Sequence, residues 1–341
     1  MAARKRSPIR KKPIVQIEGL TKKFGDFTAV DNISFTIQEG EIFGFLGPNG
    51  AGKSTTLSML ATLMMPDGGK AAVNGFDVVL ERDSVRSSIG MVFQDSSLDE
   101  ELTAYENMDF HGRLYGVPPD ERKKNAHELL KLVGLDDRSD SLVKTFSGGM
   151  RRRLEIARGL LHEPKVLFLD EPTLGLDPQT RNKIWDYVKR LNRENGLTII
   201  LTTHYMDEAD KLCNRIAIID RGKIIVAGSS QELKDTIGGD VVTMETKDRE
   251  KIGLLMKGCK WCKSVKIHDG QITLHVQDAG KRVPEILDKA YKNKIKIGFL
   301  TINKPTLEDV FLHYTGKTIR EQEASSADVM RMRHKVWGGR R

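Results

Sequence analysis

A glycine-rich segment that ends in a lysine and a serine has the residue types needed to bind phosphate. Residues 47–54 read GPNGAGKS and fit the spacing G-x-x-x-x-G-K-[ST]. Glycines let the backbone turn successive N–H groups inward, and a helix N-terminus adds partial positive charge. Lys53 supplies a full charge for the terminal phosphates, and the Ser54 hydroxyl can bind Mg²⁺. The predicted nucleotide-binding residues are Gly47, Pro48, Asn49, Gly50, Ala51, Gly52, Lys53, Ser54 and Thr55.

Two adjacent carboxylates provide what a phosphate site would need for hydrolysis. Asp170 and Glu171 follow the apolar run VLFL. Because side chains alternate along a strand, the two carboxylates point in different directions and cannot do the same work. One can hold a hydrated metal ion while the other accepts a proton from the attacking water. The pair therefore predicts nucleotide hydrolysis rather than binding alone.

The elements that would position these residues follow an alternating pattern. From residue 14 to about residue 236, strand-like apolar runs alternate with helical patterns. The runs EIFGFLG, KVLFLDEP, LTIILTTH and RIAIIDRGKIIVAG are predicted as short buried strands, several with polar groups at their C-terminal ends. Such a series is typical of a parallel α/β sheet with ligand chemistry at the strand ends. Thr103 and Glu106 form a capping box that predicts a helix start.

A second pattern begins after Gly238 and Gly239. VVTMET, SVKIH, ITLHV and IKIGFLTI are predicted as strands, while REKIGLLMKG and VPEILDKAYKN are predicted as helices. The order βαββαβ, with a hairpin around Asp269 and Gly270, matches a small ferredoxin-like α+β domain. The predicted divisions are a basic tail (1–13), an α/β domain (14–236) with a helical subdomain (about 95–160), an accessory domain (237–316) and a second basic tail (317–341).

A serine- and glycine-rich segment between the two motifs carries a family resemblance. Residues 146–150 read FSGGM before the helical pattern RRRLEIARGLL. They resemble the LSGGQ signature of ATP-binding cassette (ABC) nucleotide-binding domains, and the motifs follow that family's order over residues 14–236. The family binds two ATP molecules in a head-to-tail dimer, so the resemblance implies that Ser147, Gly148 and Gly149 face a partner's phosphate loop. Phe146 and Met150 depart from the signature, whereas Ser147 and Gly149 match it.

The resemblance also assigns roles outside these motifs. Phe24 matches the aromatic residue that stacks on adenine, with Phe in place of the commoner Tyr. Gln94, in MVFQD, matches the loop glutamine near Mg²⁺ and the attacking water, and Asp177 matches the loop between subunits. His204 matches the histidine that contacts the γ-phosphate. Glu171, His204 and Gln94 are thus the expected catalytic residues, and Ser54, Gln94 and Asp170 the expected Mg²⁺ ligands.

Composition limits the classes of protein that fit. The net charge of +8 resides in the tails: residues 1–13 and 331–341 carry eleven Lys and Arg and no acid, which leaves −3 for residues 14–330. A nucleic-acid-binding body is therefore not expected. No apolar run approaches the ~18 residues that span a bilayer, and no apolar segment follows the basic start as in a secretory signal. Three cysteines in a chain of this length do not build a disulfide framework, which indicates a reducing cytosol. Cys259 and Cys262 are interpreted as ordinary packing residues, since a lone CxxC lacks the second pair of ligands that a structural zinc site needs.

The remaining features favour one kind of ABC protein. The single cassette and the segment PTLEDVFL at residues 305–312 resemble the ATP-binding subunits of daunorubicin-resistance-type exporters. This resemblance implies a homodimer docked on separate membrane permease subunits at the cytoplasmic face of the membrane, powering export of a drug-like, lipid or other amphipathic substrate. Two alternatives remain at this stage, namely a soluble ABC ATPase acting on ribosomes or nucleic acid, and the ATPase subunit of an importer.

Overall fold

The computed structural model describes residues 13–268 and 271–316, and the side chain of His268 is not among the described groups. These residues form two compact units that divide between Ile225 and Val226. The predicted tails lie outside the described residues, apart from Pro13. The predicted limits of the two domains stay predictions.

The first unit contains nine complete strands, the first part of a tenth and seven α-helices among the described residues. The first half contains β1 (Pro13–Phe24), β2 (Phe27–Gln38), β3 (Ile42–Leu46), α1 (Lys53–Leu60), β4 (Gly68–Val73), β5 (Phe76–Asp77), α2 (Arg82–Ser88), β6 (Ile89–Val92), α3 (Ala104–Leu114) and α4 (Pro119–Leu132). The second half contains α5 (Gly148–Leu160), β7 (Val166–Asp170), α6 (Pro178–Asn195), β8 (Thr198–Thr203), α7 (Met206–Leu212), β9 (Arg215–Asp220) and β10 (Lys223–Gly228).

A six-stranded sheet with the order β10-β9-β3-β8-β7-β6 is the centre of the first unit. β9, β3, β8, β7 and β6 run parallel to one another. β3, β7 and β8 are buried at every position, which agrees with their continuous apolar sequence, because helices cover both faces of a parallel sheet. The predicted α/β class and the parallel sheet are confirmed.

Two features of this unit differ from the expectation. RIAIIDRGKIIVAG forms two strands, and in the second, β10, exposed positions alternate with partly buried ones, so it is not a buried strand. Its edge position in the sheet explains this exposure. A second, antiparallel sheet of β2, β1, β4 and β5 was not predicted. It places Val15, Ile17 and Leu20 in the same core cluster as Phe43 and Phe45 of β3.

A helical segment lies between the two sequence motifs. α3 begins at the predicted capping box, in which Thr103 Oγ1 accepts the Glu106 N–H and Glu106 Oε2 accepts the Thr103 N–H. α3, α4 and α5 share a separate core cluster that contains Met108, Leu130 and Leu154. α5 therefore packs against α3 and α4.

The second unit has the predicted order of elements. Its elements are α8 (Ser230–Ile237), β11 (Asp240–Thr246), α9 (Arg249–Lys257), β12 (Cys262–His268), β13 (Gln271–Val276), α10 (Ala279–Lys292), β14 (Ile297–Asn303) and α11 (Leu307–Thr315). The sheet order β12-β13-β11-β14 with antiparallel pairs is that of a ferredoxin-like domain, which confirms the prediction. The segment PTLEDVFL contains the N-cap Thr306 and the first six residues of α11, which packs on α8. None of the helices in residues 13–268 and 271–316 is long and apolar enough to cross a membrane.

Candidate functional site: a phosphate loop beside two carboxylates

The glycine-rich segment connects the C-terminal end of β3 to the first residue of α1, as the motif requires. Gly52 has a φ of 104°, a conformation that favours glycine, and a Cβ there would lie 2.4 Å from the Ala29 carbonyl oxygen. The Lys53 ammonium donates to the Gly47 and Pro48 carbonyl oxygens at 2.8 and 3.1 Å. The loop therefore curves around its own lysine, and the N-terminus of α1 lies next to it.

Asp170 lies directly beside the hydroxyl of this loop. The Ser54 hydroxyl donates to Asp170 Oδ1 at 3.0 Å, although 116 residues separate the two in sequence. The Thr202 hydroxyl at the end of β8 donates to the same carboxylate oxygen. Hydroxyl and carboxylate oxygens are hard ligands of the type that Mg²⁺ prefers, and these two lie close enough to bind one ion. Ser54 and Asp170 therefore fit the expected metal.

Glu171 faces a different set of groups from Asp170, as the strand alternation predicted. Its Oε1 lies 3.5 Å from the Lys53 ammonium, and its Oε2 lies 3.2 Å from His204 Nδ1. Glu171 is only 6% exposed. The structure therefore brings Lys53, Ser54, Asp170, Glu171 and His204 together, although they come from three distant parts of the sequence.

The charge of Glu171 follows from these neighbours. Burial by itself would raise the pKa of the Glu171 carboxyl, but the His204 imidazole and the Lys53 ammonium act in the opposite direction and prevail. The pKa is therefore lower than that of an ordinary glutamate. Glu171 is a carboxylate at neutral pH, the form that can accept a proton.

A second group of predicted residues lies at two other helix N-termini. Ser147 caps α5 by accepting the Met150 N–H at 3.3 Å, and Asp177 caps α6 by accepting the Gln179 and Thr180 N–H groups at 3.0 Å each. The two helix starts are adjacent, because a Cβ on Gly149 would lie 2.5 Å from Thr180 Cγ2. Ser147, Gly148 and Asp177 are exposed. The first residues of these two helix starts are therefore accessible at the surface of the chain.

Two predicted residues lie at the ends of strands and are open to solvent. Phe24 is the last residue of β1 and is 48% exposed, with the Lys22 ammonium 5.6 Å from its ring centroid. Gln94 comes two residues after β6 and is exposed. An exposed ring and an exposed amide are available to a nucleotide, which is consistent with the roles implied by the resemblance.

The sequence interpretation missed several buried polar residues around this site. Thr202, Arg152 and Glu208 are among them. Glu208 Oε1 accepts hydrogen bonds from Thr173 Oγ1 and Trp185 Nε1, and burial raises its pKa. Thr202 could have been selected as a polar residue at a strand end. Arg152 could have been selected because it falls four residues before Ile156 and seven before Gly159, on the buried face of α5.

Comparison with known families and proteins agrees with this geometry. Residues 30–174 match the family model described as ABC transporter, and residues 228–315 match the model described as ATP-binding protein DrrA1-3-like, C-terminal domain. The linearmycin resistance ATP-binding protein LnrL of Bacillus subtilis is 41% identical over 90% of this chain and 100% of its own length. The daunorubicin/doxorubicin resistance ATP-binding protein DrrA of Streptomyces peucetius is 39% identical over 92% of this chain and 96% of its own.

Solved structures give the same result for the cassette. CbiO1 of Clostridium perfringens, described as part of the ABC transporter complex cbiONQ, superposes with a TM-score of 0.62 at 32% identity and covers 67% of this chain and 94% of its own. The cassette MJ0796, a dimer in a post-hydrolysis state with ADP and Pi, gives a TM-score of 0.57 at 32% identity, over 63% of this chain and 98% of its own.

The fold and the site thus define an ATP-hydrolysing ABC cassette. More specifically, the chain belongs to the DrrA-like family of ATP-binding subunits of ABC transporters. The similarity to these relatives covers both units. It supports the ATPase of a transporter rather than a soluble ATPase that acts on ribosomes or nucleic acid. The chain binds ATP and hydrolyses it.

Proposed function

We propose that this chain works as a homodimer on membrane permease subunits and uses ATP to power export of an amphipathic substrate. The arrangement of the phosphate-binding residues is the observation that carries the proposal. Lys53 and Ser54 lie at the start of α1, whereas Ser147 and Gly149 lie at the start of α5. Ser147 is exposed and caps α5. Two helix N-termini that each favour an anion can serve one ATP if they come from opposite subunits.

In this proposal, each ATP binds between the phosphate loop of one subunit and the Ser147 helix of the other. Phe24 stacks on adenine, the loop of residues 47–55 holds the phosphates, and Asp177 lies at the subunit boundary. Ser54, Asp170 and Gln94 would hold Mg²⁺, which supplies charge neutralisation for the phosphates. The dimer of MJ0796 with ADP and Pi supports this arrangement by similarity.

Hydrolysis follows from the position of Glu171. Its carboxylate accepts a proton from a water molecule near Gln94, while His204 contacts the γ-phosphate. The new bond joins the water oxygen to phosphorus, the bond to the ADP oxygen breaks, and ADP and phosphate leave. Lys53 balances charge on the terminal phosphates during this step. Because its pKa is lowered, the Glu171 carboxyl is ionised at neutral pH and can accept this proton.

The class of substrate is inferred from the relatives. LnrL and DrrA are named for resistance to linearmycin and to daunorubicin and doxorubicin, and a third relative, from Ralstonia nicotianae, is a Nod factor export ATP-binding protein, 38% identical over 91% of this chain and 96% of its own. Linearmycin, daunorubicin and doxorubicin would all have to cross a bilayer to leave the cell. An amphipathic drug-like or lipid-like substrate at the cytoplasmic face of the membrane is therefore the proposed cargo class.

Purification from native membranes tests the assembly. We expect the tagged chain, extracted in mild detergent, to retain a protein with several membrane spans in a complex with two copies of the chain. Inside-out vesicles that contain the complex should accumulate an amphipathic dye with ATP and lose this uptake in the Glu171→Gln variant. Retention of ribosomes or nucleic acid in place of a membrane protein would contradict the proposal, and so would ATP-driven movement in the opposite direction.

A further inference from the structure

A single buried arginine on α5 contacts two other segments of the ATP site. Arg152 lies on α5, five residues after Ser147, and is 7% exposed. A guanidinium group has five N–H donors in a fixed plane. Each of them is used here: Nε donates to the Pro172 carbonyl, Nη2 donates to the Asp170 and Glu171 carbonyls, and Nη1 donates to the Phe93 carbonyl and to Glu155. Arg152 is therefore fully hydrogen-bonded in the interior.

Three of these acceptors are consecutive carbonyls around the proposed general base. Nη2 lies 2.9 Å from the Asp170 oxygen and 3.2 Å from the Glu171 oxygen, and Nε lies 2.7 Å from the Pro172 oxygen. Glu171 has a φ of 46°, in the left-handed region that a non-glycine residue adopts only when its surroundings hold it there. Because the backbone conformation sets the direction of the side chain, the guanidinium helps to aim the Glu171 carboxylate.

The other two contacts reach the loop that carries Gln94. Phe93, whose carbonyl accepts from Arg152, directly precedes Gln94 in the chain. Glu155 accepts Arg152 with one oxygen and the Ser97 N–H with the other, at 2.9 and 3.2 Å. The Arg152–Glu155 pair is buried on both sides, so its charges are balanced within the protein. The pair thus binds this loop at two points, on either side of Gln94.

We propose that Arg152 is a positioning residue for ATP hydrolysis, which holds Glu171 and the Gln94 loop in one fixed arrangement relative to the helix that Ser147 begins. This inference rests on the proposed catalytic roles of Glu171 and Gln94. Arg152 itself donates to protein carbonyls and to Glu155, so it acts through other residues. A displacement of a reacting group by about 1 Å can cost 10²-fold in rate, which sets the expected size of its effect.

A double-mutant cycle in the full-length protein separates positioning from a general effect on folding. We expect Arg152→Met to lower kcat by about 10²-fold while the affinity for ATP, measured by titration with a fluorescent ATP analogue, is unchanged. In the Glu171→Gln background the same substitution should lower residual single-turnover hydrolysis far less, because no base remains to be aimed. Arg152→Lys, with three donors on one nitrogen, should give an intermediate loss and remains usable if Arg152→Met does not fold.

Arg151→Met is the matched control on the neighbouring position. It removes the same charge, but Arg151 donates to Glu100 and to the Lys144 carbonyl, away from the strand ends. We expect its kcat to match the wild type. An equal loss from the Arg152 substitution in both backgrounds, or an unchanged kcat, would overturn the proposal. If Glu171→Gln itself hydrolyses ATP at the wild-type rate, the proposed role of Glu171 fails as well, so the two failures are distinguishable.

Discussion

Glu171→Gln is expected to lower ATP hydrolysis by about 10² to 10⁴, the contribution of a positioned general base. The substitution keeps the size of the side chain and removes its ability to accept a proton. The substitution removes the charge that lies 3.5 Å from the Lys53 ammonium. ATP binding should nevertheless remain, because the hydrogen bonds of Lys53 with its own loop and of Ser54 with Asp170 do not involve Glu171. Since hydrolysis would reopen the dimer, this variant should also accumulate as an ATP-bound dimer.

The measurement compares phosphate release, nucleotide affinity and oligomeric state for the same preparation. Glu194→Gln is a suitable control, because it makes the same chemical change at an exposed position near the end of α6. It should behave as the wild type in all three assays. Wild-type turnover by Glu171→Gln would rule out the proposed base, and a loss of ATP affinity would show that Glu171 has a binding role instead.

Lys53→Ala is expected to fail at an earlier step, the binding of nucleotide. It removes the charge that meets the β- and γ-phosphates, and it also removes the two hydrogen bonds that the ammonium donates to its own loop. A hydrogen bond to a charged group contributes about 1.5–3 kcal/mol, so the affinity for ATP should fall by about 10- to 100-fold.

Equilibrium titration with ATP checks this prediction, and Lys70→Ala on β4 provides a control that removes an exposed lysine. The Lys53→Ala variant should stay folded, because the loop follows the C-terminal end of β3 and Lys53 belongs to none of the hydrophobic core clusters. An unchanged affinity for ATP would contradict the role of Lys53, whatever the rate of hydrolysis.

The parts of the site that the sequence predicts are those encoded by local patterns. The phosphate loop needs glycines at fixed spacing and a lysine, and β7 needs an apolar run that ends in acids, so both are visible in short segments. Parallel pairing then brings Asp170 to Ser54, since both lie at the C-terminal end of one sheet. The ferredoxin-like domain is predictable for the same reason, as the order of its strand and helix segments can be read from the sequence.

Other features depend on contacts that no local pattern encodes. β1 and β2 are twelve residues long and have several register shifts, and they include Lys22, Lys23 and Asp31, so their pairing into a second sheet is not visible in the sequence. The left-handed backbone of Glu171 and its contact with Arg152 arise from packing between β7 and α5. The role of Ser147 in a partner's site stays a prediction, because it concerns two chains.

Mixing two inactive variants is the most direct test of a site shared between subunits. Ser147→Arg should bind ATP, since its phosphate loop is intact, but should not hydrolyse it, because a bulky cation replaces the hydroxyl that approaches the partner's γ-phosphate. Lys53→Ala should be inactive through its own loop. In a mixed dimer one composite site carries both changes and the other carries neither. We predict that hydrolysis returns when the two are mixed. A Ser147→Arg protein that hydrolyses ATP alone, as a monomer, would contradict the shared site.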